Sequence, residues 1–300
     1  MSESTWQGGH HGMPETREDP FVTHRGLLFT VAYEMLGSAA DADDVLQESW
    51  LRWAEVDRTE VIDPRSYLVR IVTRQALNRR RTLARRREDY VGEWLPEPLL
   101  TTPDVAEDVE LAESVSMAML TVLETLGPTE RAVFVLREVF DMPYGEIGEA
   151  VGKSAAAVRQ IARRARDHVS ARQPRVAVSP PEQAAVVERF LAALRTGRLL
   201  DLLDVMAPDV VLTAVGGGVV PAAAAPVHGA DVVAALLART DRVVDTAAVW
   251  LNGAPAGRVE IDGQVAAVSV QVKDGRIARI YVVANPHKLT RLGETADLAR

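Results

Sequence analysis

Residues 144–166 constrain the fold of this chain more than any other segment, because their apolar positions fit two short helices that cross. The positions where such helices must touch are Ile147, Val151, Val158 and Ile161. Gly148 is small where the helices come closest, and Gly152 lies between them, where a positive φ favours glycine. Ser154 can cap the second helix with its hydroxyl. The segment therefore predicts a helix-turn-helix.

The outer face of the second predicted helix carries the side-chain types that contact DNA. Arginine and glutamine read guanine and adenine edges in the major groove, and further arginines suit phosphates. The residues predicted to contact DNA from this helix are Ser154, Ala156, Arg159, Gln160, Arg163 and Arg164. A helical hairpin with a basic, solvated face is the structural alternative, since many folds contain one.

Composition narrows the classes of protein that the chain can represent. Its 300 residues suggest two or three domains, and the absence of cysteine excludes disulfides and thiolate metal sites. The six histidines are scattered, and the sequence predicts no catalytic residue, no metal site and no cofactor. The polar N-terminus lacks a signal-peptide core and no apolar run reaches bilayer length, which predicts a cytoplasmic protein with no membrane segment.

The distribution of charge predicts localised contacts with a polyanion. The net charge is −8, which argues against indiscriminate nucleic-acid binding. Arginines nevertheless concentrate between residues 70 and 87, where there is no acid, and basic residues concentrate again between 153 and 172. Two basic islands on an acidic chain are typical of two separate nucleic-acid contacts.

The pattern of apolar residues, prolines and glycines divides the chain into seven segments. They are a disordered tail (1–19), a helical domain (20–88), a linker (89–106), a second helical domain (107–172), a second linker (173–181), an α+β domain (182–290) and a C-terminal tail (291–300). Asp41 is predicted to cap a helix, and Pro64 to open the next. The first linker is apolar enough to dock on a core, and the α+β domain predicts an antiparallel meander.

Residues 41–53, DADDVLQESWLRW, resemble the helix by which domain 2 of extracytoplasmic-function RNA polymerase sigma factors grips the polymerase clamp. Asp44, Gln47 and Glu48 have the i, i+3, i+4 spacing that puts them on one face of a helix. The resemblance implies that these three residues contact core RNA polymerase. A solvated acidic face is the alternative.

Residues 64–81 resemble the part of domain 2 that melts the −10 promoter element. Opening DNA requires cationic groups along the backbone and polar groups for unstacked bases. The residues that the resemblance assigns to this element are Arg74, Gln75, Asn78, Arg79 and Arg80. Residues 107–172 would then be domain 4, which contacts the polymerase flap and reads the −35 element through the six residues of its recognition helix.

The α+β domain resembles the SnoaL-like, or NTF2-like, extension that a subgroup of these sigma factors carries. The first mark of the subgroup is intact in the linker, as Trp94, Leu95, Pro96, Glu97 and Pro98. The second, Asn-Pro-Asp-Lys-Leu, is represented by Asn285, Pro286, His287, Lys288 and Leu289. The third, Asp-Gly-Gly-Gly-Lys, keeps Gly216, Gly217 and Gly218 but has Val215 and Val219 in place of both charges. The resemblance implies that these segments are regulatory.

The predicted fold is therefore multidomain, with two all-α sigma domains, domain 2 and the helix-turn-helix domain 4, and a C-terminal α+β SnoaL/NTF2-like cone-shaped barrel. The resemblance implies a sigma factor that directs core RNA polymerase to promoter DNA, without a separate anti-sigma factor. The extension would regulate the sigma factor in cis by locking the domains together. Whether a small ligand binds in the cone is left open by the sequence. The sequence of the extension shows no pairing of an acid with a base of the kind that enzymatic proton transfer requires. The alternative is a stand-alone helix-turn-helix regulator with a ligand-sensing or enzymatic SnoaL-like domain.

Overall fold

The computed structural model describes residues 19–88, 93–172, 178–238 and 244–300. Most of the predicted N-terminal tail (1–18), the first four residues of the first linker (89–92) and much of the second linker (173–177) lie outside the described residues. Within them, twelve α-helices and one six-stranded sheet form the two helical domains and the C-terminal extension.

Domain 2 consists of four helices around an apolar core. They are α1 (Pro20–Thr23), α2 (Arg25–Leu36), α3 (Ala39–Ala54) and α4 (Pro64–Glu88). The expectation that Asp41 caps α3 was wrong, because the Ser38 side chain accepts the hydrogen bond from the Asp41 amide and holds the N-cap position. Pro64 opens α4 as predicted. Trp53 and Tyr33 are fully buried in this core, where their area contributes strongly to stability.

Domain 4 contains the predicted helix-turn-helix. Its helices are α5 (Val109–Val115), α6 (Met117–Leu123), α7 (Pro128–Phe134), α8 (Tyr144–Val151) and α9 (Ala155–Ser170), and a π-helical turn (Val135–Val139) extends α7. Gly152 ends α8 with a φ of 71°, and the Ser154 hydroxyl caps α9 at the amide of Ala157, 3.2 Å away. A Cβ on Gly148 would lie 2.5 Å from the carbonyl oxygen of Lys153, which explains the glycine at this crossing. The helix-turn-helix prediction is confirmed.

The extension is an α+β domain built on one mixed sheet. Its helices are α10 (Pro180–Thr196), α11 (Leu199–Val205) and α12 (Ala230–Leu237), and its strands are β1 (Met206–Val215), β2 (Val227–His228), β3 (Val244–Leu251), β4 (Ala254–Ile261), β5 (Gln264–Lys273) and β6 (Arg276–Val283). The strand order is β2-β1-β6-β5-β4-β3. β3 to β6 form the predicted antiparallel meander, and β1 joins β6 in parallel. The predicted α+β class of the extension is confirmed, although α11 and β2 were not predicted.

The two faces of this sheet pack against different parts of the chain. One face buries Val268, Val270 and Ile280 against α10, α11 and α12, which form the inner core of the cone. The opposite face buries Tyr281 and its neighbours against Leu95 of the linker and Met117 of domain 4. Residues on alternate positions of one strand face opposite sides of a sheet, so the meander serves two cores at once.

The residues predicted as a C-terminal tail pack instead along both helical domains. The amide of Ala296 donates to the carbonyl oxygen of Leu100, 2.8 Å away, and the amide of Ala299 donates to the Thr30 hydroxyl at 3.1 Å. Leu298 is buried in the core of the helical domains, and Arg300 forms an ion pair with Asp108. Apolar burial and backbone pairing therefore hold this segment, and neither follows a local sequence period.

Candidate nucleic-acid and polymerase interfaces

The recognition helix α9 presents all six of its predicted DNA-contacting residues at exposed positions. These residues are Ser154, Ala156, Arg159, Gln160, Arg163 and Arg164. The opposite face of α9 buries Val158, Ile161 and Ala165 in domain 4. Among the ion pairs of the described residues, Arg164 has one weak partner: its guanidinium lies 3.9 Å from a Glu130 carboxylate oxygen. Long, solvated cations on one helical face match the requirements of a major-groove reader.

The acidic face of α3 is exposed and is linked to the predicted DNA-melting helix. Asp44, Gln47 and Glu48 are all exposed, as the clamp assignment requires. Arg79 on α4 forms an ion pair with Asp44 and also bonds Asp41, whose Oδ1 lies 2.8 Å from its Nε. A residue assigned to the −10 element therefore contacts one assigned to the polymerase.

The five residues assigned to the −10 element do not share one surface. Arg74 and Asn78 are exposed and Arg79 is half-buried, whereas Gln75 and Arg80 are buried. Arg80 donates to the carbonyl oxygen of Met35 at 2.9 Å and contacts Glu124 of domain 4. In this arrangement the Gln75 and Arg80 side chains are covered by other parts of the chain, and their assignment to the −10 element stays a prediction. The residue types fit the resemblance, but the helical periodicity of α4 does not show which of its positions are covered by neighbouring helices.

Domain 2 and domain 4 also meet where α4 crosses α8. The Arg74 guanidinium donates to the carbonyl oxygen of Glu149 at 2.7 Å, and Arg70 forms an ion pair with the Glu149 carboxylate. Glu149 belongs to the first helix of the helix-turn-helix, so an arginine assigned to the −10 element holds the reader of the −35 element. These partly exposed pairs position the domains more than they stabilise them.

A buried charge cluster lies deeper in the same interface. Arg131 of α7 is fully buried, with its guanidinium 2.6 Å from Glu124 Oε1 and 2.5 Å from the carbonyl oxygen of Glu34. Glu34 of α2 is also fully buried and accepts from the Ser114 hydroxyl at 2.6 Å. Burial raises the pKa of Glu34 to about 7, although the Ser114 hydrogen bond and the Arg131 charge oppose the shift.

Two of the three motifs expected to be regulatory, at 94–98 and 285–289, meet in the structure. The Lys288 ammonium lies 3.2 Å from the centre of the Trp94 ring and donates to the carbonyl oxygen of Leu95. Asn285 caps the short helix that presents Lys288, through a 3.0 Å hydrogen bond from the His287 amide. A cation over an indole face within 6 Å is a favourable contact, and it is stronger when the pair is desolvated, as Lys288 is here.

Glu97 ties the linker to the start of α3. Its carboxylate accepts from the Ala39 amide at 2.7 Å, and its carbonyl oxygen accepts from the Tyr33 hydroxyl at 2.6 Å. Burial raises the pKa of Glu97, while hydrogen bonds from Ser38 and the α3 amides, and the charge of Lys288, work against the rise. An anion at a helix N-terminus is favoured by the helix dipole, so Glu97 fixes the linker against domain 2.

Asn252 joins three parts of the molecule, and sequence reasoning missed it. Its Nδ2 donates to the Tyr33 hydroxyl at 2.7 Å and to the Val115 carbonyl oxygen at 3.0 Å, and its Oδ1 accepts from the Leu99 amide at 3.1 Å. Domain 2, domain 4 and the linker are thus hydrogen-bonded to one side chain of the extension. The available signal was the Asn-Gly pair at 252–253, which is typical of a hairpin turn and here gives Asn252 a φ of 54°.

The three glycines of the degraded motif form a tight turn after β1. Gly217 and Gly218 have φ angles of 63° and 73°, and a Cβ on Gly216 would lie 1.8 Å from the Val220 carbonyl oxygen. Val215 pairs with Val283 where β1 and β6 run in parallel. This turn and the segment beginning at Asn285 therefore leave the sheet at the same edge. Glycine is required here by backbone geometry alone.

No helix in the described ranges is long and apolar enough to cross a membrane. No group of three or more histidine, aspartate or glutamate residues in those ranges could hold a metal ion.

Comparison with known proteins assigns both helical domains. Residues 21–86 match the family model of sigma-70 region 2, and residues 116–169 match that of sigma-70 region 4. A fold with these two regions defines a sigma-type transcription initiation factor and not an enzyme.

Relatives of similar length narrow the class further. The chain is 37% identical over 288 residues to the ECF RNA polymerase sigma factor SigJ of Mycobacterium tuberculosis, covering 90% of this chain and 92% of the relative. It is 30% identical to the probable ECF RNA polymerase sigma factor SigI of the same species, over 90% of this chain and 93% of the relative. The crystal structure of the M. tuberculosis SigJ protein matches with a TM-score of 0.71 and 33% identity, over 90% of this chain and 97% of that one. The chain belongs to the extracytoplasmic-function family of RNA polymerase sigma factors, whose partners are core RNA polymerase and promoter DNA.

Proposed function

We propose that this sigma factor is regulated in cis, and that the compact arrangement is its low-activity state. The observation that carries the proposal is the Asn252 side chain, which is buried and hydrogen-bonded to domain 2, domain 4 and the linker together. A sigma factor must present both DNA-reading surfaces to one promoter. Here domain 2 and domain 4 bind each other through Arg74, Arg80 and the hydrogen bond from Arg131 to the Glu34 carbonyl oxygen, and the extension reinforces that contact.

Site roles follow from exposure. Asp44, Gln47 and Glu48 contact the polymerase clamp, and domain 4 contacts the flap. Exposed Asn78 and half-buried Arg79 contact the −10 element directly. Arg74 and Arg80, which contact Glu149 and Glu124 of domain 4, become available to DNA only after domain 4 moves away, and buried Gln75 becomes available only after its own surroundings in the closed state rearrange. The six exposed residues of α9 read the −35 element. The regulatory motifs at 94–98 and 285–289 hold the closed state, so no separate anti-sigma factor is required, and the protein acts in the cytoplasm with RNA polymerase.

The test removes the Asn252 hydrogen bonds without disturbing the backbone. Asn252→Gly keeps the left-handed turn, because glycine tolerates a positive φ, but deletes all three side-chain contacts. Asp274→Gly is the matched control, since Asp274 has a φ of 51° in the exposed β5–β6 turn. Run-off transcription with core RNA polymerase should rise several-fold for Asn252→Gly and stay unchanged for Asp274→Gly. Equal transcription by both variants and the wild type would refute regulation through this contact.

A further inference from the structure

A cavity of about 590 Å³ lies between domain 4 and the extension. Its walls come from α5 and α6 on one side and from β5, β6, the β3–β4 turn and the start of α10 on the other. This volume falls within the range of small-molecule sites in proteins. Ser269 and Tyr281 line the cavity from the face of the sheet that packs on domain 4, and Val270 and Val272 of the inner core also contribute to its lining.

Three polar side chains form a row on the sheet wall of the cavity. Ser269 pairs with Tyr281 across β5 and β6, and Gln271 follows Ser269 on the same face. Burial raises the pKa of the Tyr281 phenol, so its hydroxyl stays protonated and can donate or accept. Gln271 Oε1 is buried and has no hydrogen-bond partner in the described part of the chain. A buried polar atom without a partner is rare in a native fold and is a reason to look for a missing ligand.

The rest of the lining limits the ligand's chemistry. Met117, Met119 and Val109 form an apolar wall from domain 4, and methionine adapts its shape to varied partners. Among the described residues that line the cavity, Glu113 alone is charged, and it is exposed at the α5 rim. With no cation among these described lining residues, an anion would find no counter-charge there. We infer that this cavity binds a neutral, largely apolar small molecule whose single hydrogen-bonding end contacts Tyr281 and Gln271.

The position of the cavity determines whether this ligand would raise or lower transcription. Both walls are complete only when domain 4 rests on the extension, so the ligand binds the closed arrangement better than an open one. A ligand shifts a conformational equilibrium only through such a difference in affinity. The ligand is therefore a co-inhibitor of transcription, and this step rests on the proposed cis regulation.

The binding test uses N-phenyl-1-naphthylamine, a neutral fluorophore with one N–H donor, and the full-length protein. Ala118→Trp fills the cavity from α6, and Ala247→Trp is the matched control at an exposed alanine of β3 outside the lining. The wild type and Ala247→Trp should give saturable fluorescence enhancement at one site per chain. Ala118→Trp should weaken binding at least tenfold, and the milder Tyr281→Phe should weaken it several-fold with the same folded circular dichroism spectrum.

Absence of saturable binding to the wild type, or equal binding by Ala118→Trp and Ala247→Trp, would overturn the site. Saturating probe should also lower run-off transcription by the wild type several-fold and leave Ala118→Trp unaffected. If the probe binds as expected but transcription does not change, the co-inhibitor role is refuted while the binding site stands. Failure of the proposed cis regulation would be seen separately, as equal run-off transcription by Asn252→Gly and the wild type without any probe.

Discussion

At the scale of single residues, burial decides what each charged side chain does. Arg80 and Arg74 lie on the same helix and have the same chemistry, yet Arg80 is buried against Met35 and Glu124 while Arg74 is exposed. Glu34 is likewise an unremarkable acid in the sequence, but in the fold it is fully buried beside Ser114 and Arg131. Burying a carboxylate without a full set of partners favours its protonated form.

Glu34 should make stability depend on pH. Burial raises its pKa from 4.5 to about 7, so between these values the folded chain holds a proton that the unfolded chain releases. The free energy of unfolding should therefore fall as pH rises from about 5 to about 8, by up to about 3 kcal/mol from this group. Glu34→Gln, which can still accept from Ser114, should lose that part of the dependence. Urea unfolding of both proteins at the two pH values measures it, and parallel pH profiles would contradict the assignment.

At the scale of elements, local rules were sufficient for α8 and α9 but not for α4. The helix-turn-helix follows from a short-range pattern, with a left-handed glycine, a serine cap and buried positions at helical spacing. α4 is covered on several sides, by α2, α3, α7 and α8. The exposed residues of α4 therefore do not form one continuous face. For that reason the exposure of its arginines could not be predicted from helical periodicity.

Arg159 on α9 should contribute to base recognition and not only to charge. Arg159→Ala should cost about 1–3 kcal/mol of discrimination between the preferred −35 sequence and a mutated one, as expected for a lost base-edge contact. Arg166→Ala is the matched control, since it removes the same charge from the same helix, but its side chain contacts Glu138 of domain 4. Run-off transcription on both templates measures the ratio. Equal loss of discrimination by the two variants would mean that α9 contributes charge alone.

At the scale of the whole molecule, the linker, the extension and the last ten residues hold the helical domains together. Leu100 pairs with both Leu251 of β3 and Thr295 near the C-terminus, and Lys288 reaches back to Trp94. Between the helical domains, Glu124 contacts Arg80, and Arg131, which Glu124 holds within domain 4, donates to the carbonyl oxygen of Glu34. Apolar surface and paired charge are both buried at these contacts, so the closed state is stabilised by packing as well as by hydrogen bonds.

Glu124→Gln should destabilise this closed state strongly. It removes the negative charge beside Arg131, which is fully buried, and an unpaired buried charge costs about 3 kcal/mol or more. Glu188→Gln, the same change at an exposed position of α10, should alter stability little. Urea unfolding gives the difference in free energy, and small-angle scattering shows whether the domains separate. If the two variants have equal midpoints, the buried cluster does not hold the domains.

The sequence by itself determined the family, the two helical domains, the helix-turn-helix with its exposed reading face, and the α+β class of the extension. Each depends on periodicity, capping or turn chemistry within about one or two helical turns, which a chain carries locally. Only the tertiary structure decided that Gln75 and Arg80 are covered, that Asn252 joins three parts of the molecule and that residues 291–300 are docked. These features depend on contacts between residues far apart in the chain, as in the Asn252–Tyr33 hydrogen bond, and no local pattern encodes which distant surfaces meet.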